Sequence, residues 1–412
     1  MMNGYLIFIF AVLILSWLLD LVIETLNLTA LKPDLPAEFQ GACDARKYVK
    51  SQQYLRDSTW FGCITDSFFM ALTVAFILLG GFNLVDLIAR SAGFGEILTG
   101  LCFASILLLA SDIIHIPFSA YATFVIEERY GFNKTTLKIF IIDHLKGWLL
   151  AAAIGGPVLA LVLWFFQKTG PCAWLWCWGA LTVIQIVLMF IAPAVIMPLF
   201  NKFTPLEDGE LKSAIEGYAQ GQHFSLKGIF TMDGSRRSTK SNAFFTGFGR
   251  FRRIVLFDTL IEKHSVDELV AVLAHEVGHY KKRHIIRLLS MSIVTSGIMF
   301  FILSLFLNNP SLSAAFGMEH TSIYATLFFF AFLYAPIEIL LGIGVNMLSR
   351  RHEFEADTFA ARTFKGSEPL ITALKKLSVD NLSNLTPHPA KVFLQYSHPP
   401  VLARIQSLRR FS

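Results

Sequence analysis

Seven apolar runs, each near the length of a bilayer span, constrain this chain more than any other feature. They lie near 4–24, 66–89, 97–118, 145–167, 173–200, 285–307 and 321–348. A helix needs about 20 predominantly apolar residues to cross the hydrocarbon core. Within lipid the backbone must satisfy its own N–H and C=O groups, so such runs are expected to be helices. A soluble core does not explain runs this long and this many. Composition agrees, with 54% hydrophobic and only 16% charged residues, against about 25% charged in soluble domains. The first run, from Tyr5 to Leu19, has no basic segment before it and no small-residue cleavage site after it. It reads as a retained span, not a cleaved signal peptide.

Charge orients the spans. Of 35 Lys and Arg, five fall in 25–67, four in 119–146, thirteen in 201–284 and ten in 349–412. The alternate loops hold only Arg90 and Lys168, and Arg287 sits at the entry to the sixth run. Basic loops stay in the cytosol, which puts the N-terminus outside and the C-terminus inside. The net charge of +5 therefore reflects topology and calls for no nucleic-acid partner. The five cysteines show no zinc-ribbon or disulfide spacing; Cys172 and Cys177 are the only pair near enough in sequence to suggest a bond.

The expected organisation is five spans with cytosolic loops (1–200), a small α+β domain (201–284), two further spans (285–348) and a cytosolic C-terminal part (349–412). Within the domain, Gly228–Met232, Ser241–Thr246 and Arg253–Phe257 read as strands, with Gly247 and Gly249 between the last two. Ser265 then opens a helix. With Glu268 three residues on it forms a capping box, and Leu269, Val272 and Leu273 supply an apolar face.

That helix carries His275-Glu276-Val277-Gly278-His279. Positions i and i+4 stand on one helix face, about 6 Å apart along the axis. Two imidazoles so placed can hold one zinc ion. A carboxylate between them reaches a water activated by that zinc and can take its proton during attack on a carbonyl. The alternative is a solvated helix face with two ordinary histidines. A catalytic zinc needs a third protein ligand and an open position. Arg350-Arg-His-Glu-Phe-Glu-Ala-Asp357, after the seventh run, offers Glu353 with Asp357 one turn later, Asp357 acting on a ligating histidine from behind. His352 and Glu355 are competing choices. The sixth span starts just after His279 and the seventh ends just before Glu353, so a membrane hairpin returns Glu353 to the leaflet of the histidines. His284, five residues from His279, is poorly spaced for the same face and reads as interfacial. Arg404 reads either as a brace for the site or as a surface residue.

These residues resemble the type-1 CAAX prenyl proteases, integral-membrane zinc metallopeptidases. The matching pieces are Ser241-Asn242-Ala243-Phe244, His275-Glu276-Val277-Gly278-His279, Ser349 to Asp357, and Tyr396-Ser-His398-Pro-Pro400, in family order and over essentially the whole chain. The resemblance implies Zn2+ held by His275, His279 and Glu353, with Glu276 as general base. It implies that His398 contacts substrate and stabilises the oxyanion. It places Asn242, Ala243 and Phe244 on an edge strand that takes the substrate as an added strand. It implies seven helices around an intramembrane chamber, which would give Asp112, His115 and Glu338 a wet setting. The implied partners are a peptide or protein C-terminus, prenylated in the family's substrates, and the lipid bilayer. Oligomeric state is left open. Compactness, short outer loops and the lack of an ER-retrieval tail favour a bacterial inner membrane; a eukaryotic chain would sit in the ER membrane. Competing functions are a broad-specificity quality-control protease and, from another class, a transporter or channel with a structural zinc. A site-2 type protease fits less well, because Lys281-Lys-Arg-His284 marks a membrane boundary directly after the motif.

Overall fold

Each apolar run is helical, and several helices outlast their runs because hydropathy marks only the part that meets lipid. The computed structural model describes residues 3–246 and 253–411. Among the described residues, seven helical segments are long and apolar enough to cross a membrane: Gly4–Thr29, Ala45–Leu78, Glu96–Tyr130, Leu137–Lys168, Gly170–Phe200, His284–Phe306 and Ile323–Thr363. The first two are α1 (Gly4–Thr29) and α2 (Ala45–Leu78), followed by the shorter α3 (Gly81–Ser91). Next come α4 (Glu96–Tyr121), α5 (Leu137–Leu150), α6 (Gly156–Lys168) and α7 (Ala173–Ile191). Single π turns at Ala122–Glu127, Ala151–Gly155 and Ala192–Ile196 extend or join these spans. Leu15, Leu79, Leu108, Leu149 and Leu340 are well exposed on span surfaces, as expected of side chains that face lipid instead of a core.

The second run is not one helix over 66–89. α2 stops at Leu78, and Gly80 takes a left-handed φ of 70° before α3 begins at Gly81. Glycine adopts that conformation without steric cost and so ends helices. At its other end α2 extends back to Ala45, so half of the expected loop 25–65 is helix. Cys172 and Cys177 are both free, Cys172 exposed and Cys177 buried, so the suggested bond does not form.

Between the fifth and sixth spans lies a four-stranded sheet. Its strands are β1 (Phe203–Pro205), β2 (Gly228–Met232), β3 (Ala243–Thr246) and β4 (Arg253–Phe257), in the order β1-β2-β4-β3. β2 and β4 pair in parallel; β1 and β3 run antiparallel to them at the edges. β4 is central, and Ile254, Val255 and Leu256 are all buried, as befits a strand covered on both faces. Three residues with a proline gave β1 no sequence signal. Gly247 and Gly249 lie outside the described residues.

The remaining helices complete the layer around the sheet and the last hairpin: α8 (Glu210–Gly221), α9 (Val266–Lys281), α10 (His284–Phe306), α11 (Ile323–Thr363), α12 (Glu368–Asp380), α13 (Pro389–Gln395) and α14 (Val401–Leu408). One core joins Ile215 of α8, Ile254 and Leu256 of β4, Leu269, Leu273 and Val277 of α9, Ile371 of α12 and Ile405 of α14. Each such side chain contributes about 1.5–3 kcal/mol by leaving water. Against this core α9 lies along α11, a 41-residue helix that runs about 60 Å and so extends well beyond the membrane. Gly278 makes the approach possible: a Cβ there would stand 3.1 Å from the Ala356 backbone.

Candidate active site

Local sequence sets the first half of the site. The Ser265 side chain accepts from the Glu268 N–H, and the Glu268 carboxylate accepts from the Ser265 N–H. This reciprocal cap starts α9 at a fixed residue. Its apolar face then buries Leu269, Val270, Leu273, Ala274 and Val277, which turns His275 and His279 toward α11.

α11 supplies the second half. The Nε2 atoms of His275 and His279 are 3.0 Å apart. Glu353 places Oε2 3.5 Å from the first and Oε1 3.3 Å from the second. Ligand atoms of the three residues lie within 4.8 Å of one another. Zinc bonds of about 2.0–2.1 Å at tetrahedral angles require ligand atoms about 3.3 Å apart. The donor set, two imidazoles and a carboxylate, and its spacing therefore both fit a zinc ion. Of the competing choices, Glu355 turns away, and its Oε1 accepts from Arg351 Nε at 3.1 Å. His352 is buried and stacks on His284 with ring centres 3.9 Å apart.

Each histidine is held from behind, by different means. His275 Nδ1 lies 2.9 Å from Asp357 Oδ1. Arg404 clamps the same carboxylate with Nη2 at 2.6 Å and Nε at 2.8 Å, and its Nη1 sits 3.2 Å from Glu353. Burial by itself would lower the affinity of His275 for a proton, but Asp357 and Glu353 outweigh it and raise the pKa to about 9. Burial likewise opposes the Arg404 charge, and Asp357 and then Glu353 more than restore it, so its pKa is raised. His279 Nδ1 instead meets His284 Nδ1 at 3.0 Å.

A cavity of about 520 Å³ opens beside these groups. Glu276, His398 and Arg404 line it, with Asn242, Ala243 and Phe244 on one side and Leu370, Leu374 and Val272 on another. Glu276 is half-buried and makes no hydrogen bond or ion pair among the described residues. His398 is 65% exposed at its side chain, with Nε2 3.4 Å from Glu353 Oε1. Ala243 and Phe244 pair with β4, opposite Leu256 and Val255; no further strand pairs with β3 among the described residues, and the Ala243 N–H donates to Asn242 Oδ1 at 2.8 Å. A second cavity, about 730 Å³, lies between α6, α10 and α11; Ser292, Tyr334, Glu338 and Asn346 line it. Asn346 is seven residues before Glu353 on α11, about 10 Å along the axis. Of the other ionisable groups in spans, Asp112 accepts from Trp148 Nε1 at 2.6 Å and His115 stacks on Phe69 at 3.5 Å.

Two side chains play a larger part than the sequence suggested. Arg404 is not a surface residue, and no local periodicity announces that an arginine will face two carboxylates. His284 is buried, 1% exposed. Five residues on one helix would have pointed it away from His279. The chain instead breaks at Arg283, with φ of 58°, and His284 begins α10 turned back toward its neighbour. A non-glycine residue in the left-handed region was the missed feature.

Seven spans with a hydrolase-type His–Glu–His helix and a third carboxylate on the last hairpin define a polytopic membrane metallopeptidase. Family models match nearly the whole chain: "CAAX prenyl protease N-terminal, five membrane helices" over residues 24–202 and "Peptidase family M48" over 205–412. The chain belongs to peptidase family M48, among the CAAX prenyl protease 1 homologues, and is a zinc-dependent metalloprotease. It is 36% identical to "CAAX prenyl protease 1 homolog" of Arabidopsis thaliana, covering 96% of this chain and 95% of that one. It is also 36% identical to "CAAX prenyl protease 1" of Saccharomyces cerevisiae, covering 91% and 88%. The crystal structure of S. mikatae Ste24p superposes with a TM-score of 0.92 at 35% identity, over 98% of this chain and 99% of that one.

Proposed function

We propose that this protease cleaves peptide bonds near the C-terminus of CAAX-type, prenylated substrates, with zinc on His275, His279 and Glu353. The observation that carries the reading is the convergence of these three ligands, within 4.8 Å, beside a cavity that Glu276 and an edge strand also line. The printed names of the relatives support the substrate class.

Zinc supplies Lewis-acid polarisation of the scissile carbonyl and lowers the pKa of water. The residues do the rest. β3, with Ala243 and Phe244 on it and Asn242 just before it, offers its outer edge to an extended substrate, which adds as a further strand. Glu276, bound to no other side chain among the described residues, takes a proton from the attacking water as the new C–O bond forms. It returns that proton to the amine nitrogen as the C–N bond breaks. His398 donates from its ring to the oxygen that gains charge. Asp357 and Arg404 keep His275 oriented with Nε2 toward the site. The 730 Å³ cavity of α6, α10 and α11 gives a lipid-modified tail an apolar path within the membrane. The site faces the cytosol, in a bacterial inner membrane or, in a eukaryote, the ER; crowding of basic side chains in the loops on that side supports this orientation.

The test is cleavage by the purified protein of matched C-terminal peptides, prenylated and unprenylated, with and without chelator. Chelator-sensitive release of a short C-terminal peptide from the prenylated substrate alone is expected. Equal cleavage of unmodified peptides and unfolded proteins would overturn the substrate assignment and favour broad quality control.

A further inference from the structure

The hydrogen-bond pattern around His279 has one consistent solution. A neutral imidazole carries one N–H and one lone pair. On the reading above, Nε2 of His279 gives its lone pair to zinc, so its Nδ1 bears the hydrogen. The group facing that Nδ1, at 3.0 Å, is Nδ1 of His284. It must accept, which moves the hydrogen of His284 to Nε2. That nitrogen stands 3.1 Å from Glu355 Oε2, an acceptor in the right place. Every polar atom along the line is then satisfied in one direction.

The relay is also held rigidly. His284 is 1% exposed, and the equally buried His352 ring stacks on it at 3.9 Å with only 9° between planes. Neither nitrogen of His352 has a hydrogen-bond partner among the described residues, so its contribution here is a flat face that fixes the His284 ring plane. Glu355 also meets two exposed arginines outside the relay, Arg351 Nε at 3.1 Å from Oε1 and Arg287 Nη1 at 3.6 Å from Oε2.

We infer that His284 and Glu355 are positioning residues for the metal: a Glu355–His284–His279 relay sets the tautomer and aim of His279. It does for the second histidine what Asp357 does directly for the first. The inference rests on the zinc reading above. It assigns functions to a histidine outside the metal-binding motif and to a carboxylate that faces away from the metal.

The test is zinc affinity, measured by chelator competition on the purified full-length protein, alongside the melting temperature of the zinc-free form. Glu355→Ala and His284→Phe are expected to weaken zinc binding about 10–100-fold, the usual loss when an outer partner of a ligand is removed. Glu355→Gln keeps an acceptor for His284 Nε2 and is expected to bind zinc nearly as the wild type does. Arg351→Ala removes the exposed ion pair and leaves the relay, so its zinc affinity should not change. The double variant His284→Phe/Glu355→Ala should be no weaker than His284→Phe alone, because both break one chain. If His284→Phe lowers the melting temperature of the zinc-free form, the partly exposed Glu355 carries the test. Wild-type zinc affinity in Glu355→Ala would overturn the relay, provided His279→Ala loses zinc. Retention of zinc by His279→Ala would instead overturn the underlying site.

Discussion

Single side chains divide the labour of the site by what surrounds them. Glu276 and Glu353 are both carboxylates near the same two histidines, yet Glu353 is buried and paired on every side, and Glu276 borders the cavity with no hydrogen bond or ion pair among the described residues. The first can hold a metal; the second can move a proton. Glu276→Gln should therefore keep stoichiometric zinc while turnover falls at least about a hundredfold, the usual size of a general-base effect; substantial turnover in that variant would reassign the base. The raised pKa of His275, about 9, has a consequence for metal loading. The metal-free protein gains stability from protonated His275 below its ordinary value of 6.5, and loses that gain as pH rises through about 9. Zinc must displace this proton. Its affinity should climb with pH across that window and flatten above it, read by chelator competition at several pH values; a flat profile would show that the proton is not there.

Helices and strands convert those side chains into a geometry. The capping box fixes where α9 starts, and the apolar face fixes how it rotates, so the histidines are aimed by ordinary helix chemistry. The distance to Glu353 is set by how closely α9 and α11 approach, and Gly278 sets that. A side chain there meets the Ala356 backbone at 3.1 Å and Phe359 Cβ at 3.2 Å, neither of which can swing away. Gly278→Val should push the helices apart, cost about 1–3 kcal/mol in stability from overpacking, and weaken zinc although no ligand has changed. Thermal melting and zinc titration read these separately; a stable variant with unaltered affinity would mean the helix spacing is not critical. The strands were legible where apolar runs were flanked by turn residues, as in β2 and β4. β1 was not, because three residues carry no pattern and only pairing with β2 makes them a strand.

At the scale of the whole molecule, the membrane sorts the chain into a lipid-facing bundle and a layer outside the lipid, and the hairpin of α10 and α11 joins them. Charge asymmetry between loops predicts which side is which, and the free cysteines make the prediction easy to check. Cys172 is exposed in the sparsely charged loop after α6, and Cys43 lies in the basic segment before α2. A membrane-impermeant maleimide added to sealed cells should label Cys172 and spare Cys43 until the membrane is opened. The reverse pattern would invert the orientation and move the site to the other face.

The sequence by itself determined the spans, the capped helix and the identities of its two histidines and glutamate, because hydropathy and helical periodicity act over a few turns of one chain. It also narrowed the third carboxylate to one stretch after the last span. Only the tertiary structure decided that Glu353 and not Glu355 faces the histidines, that Arg404 binds two carboxylates, and that His284 turns back to His279 after a left-handed residue. The longest of those contacts joins His275 to Glu353 on another helix, and their outcome depends on how whole helices pack, a property no local pattern encodes.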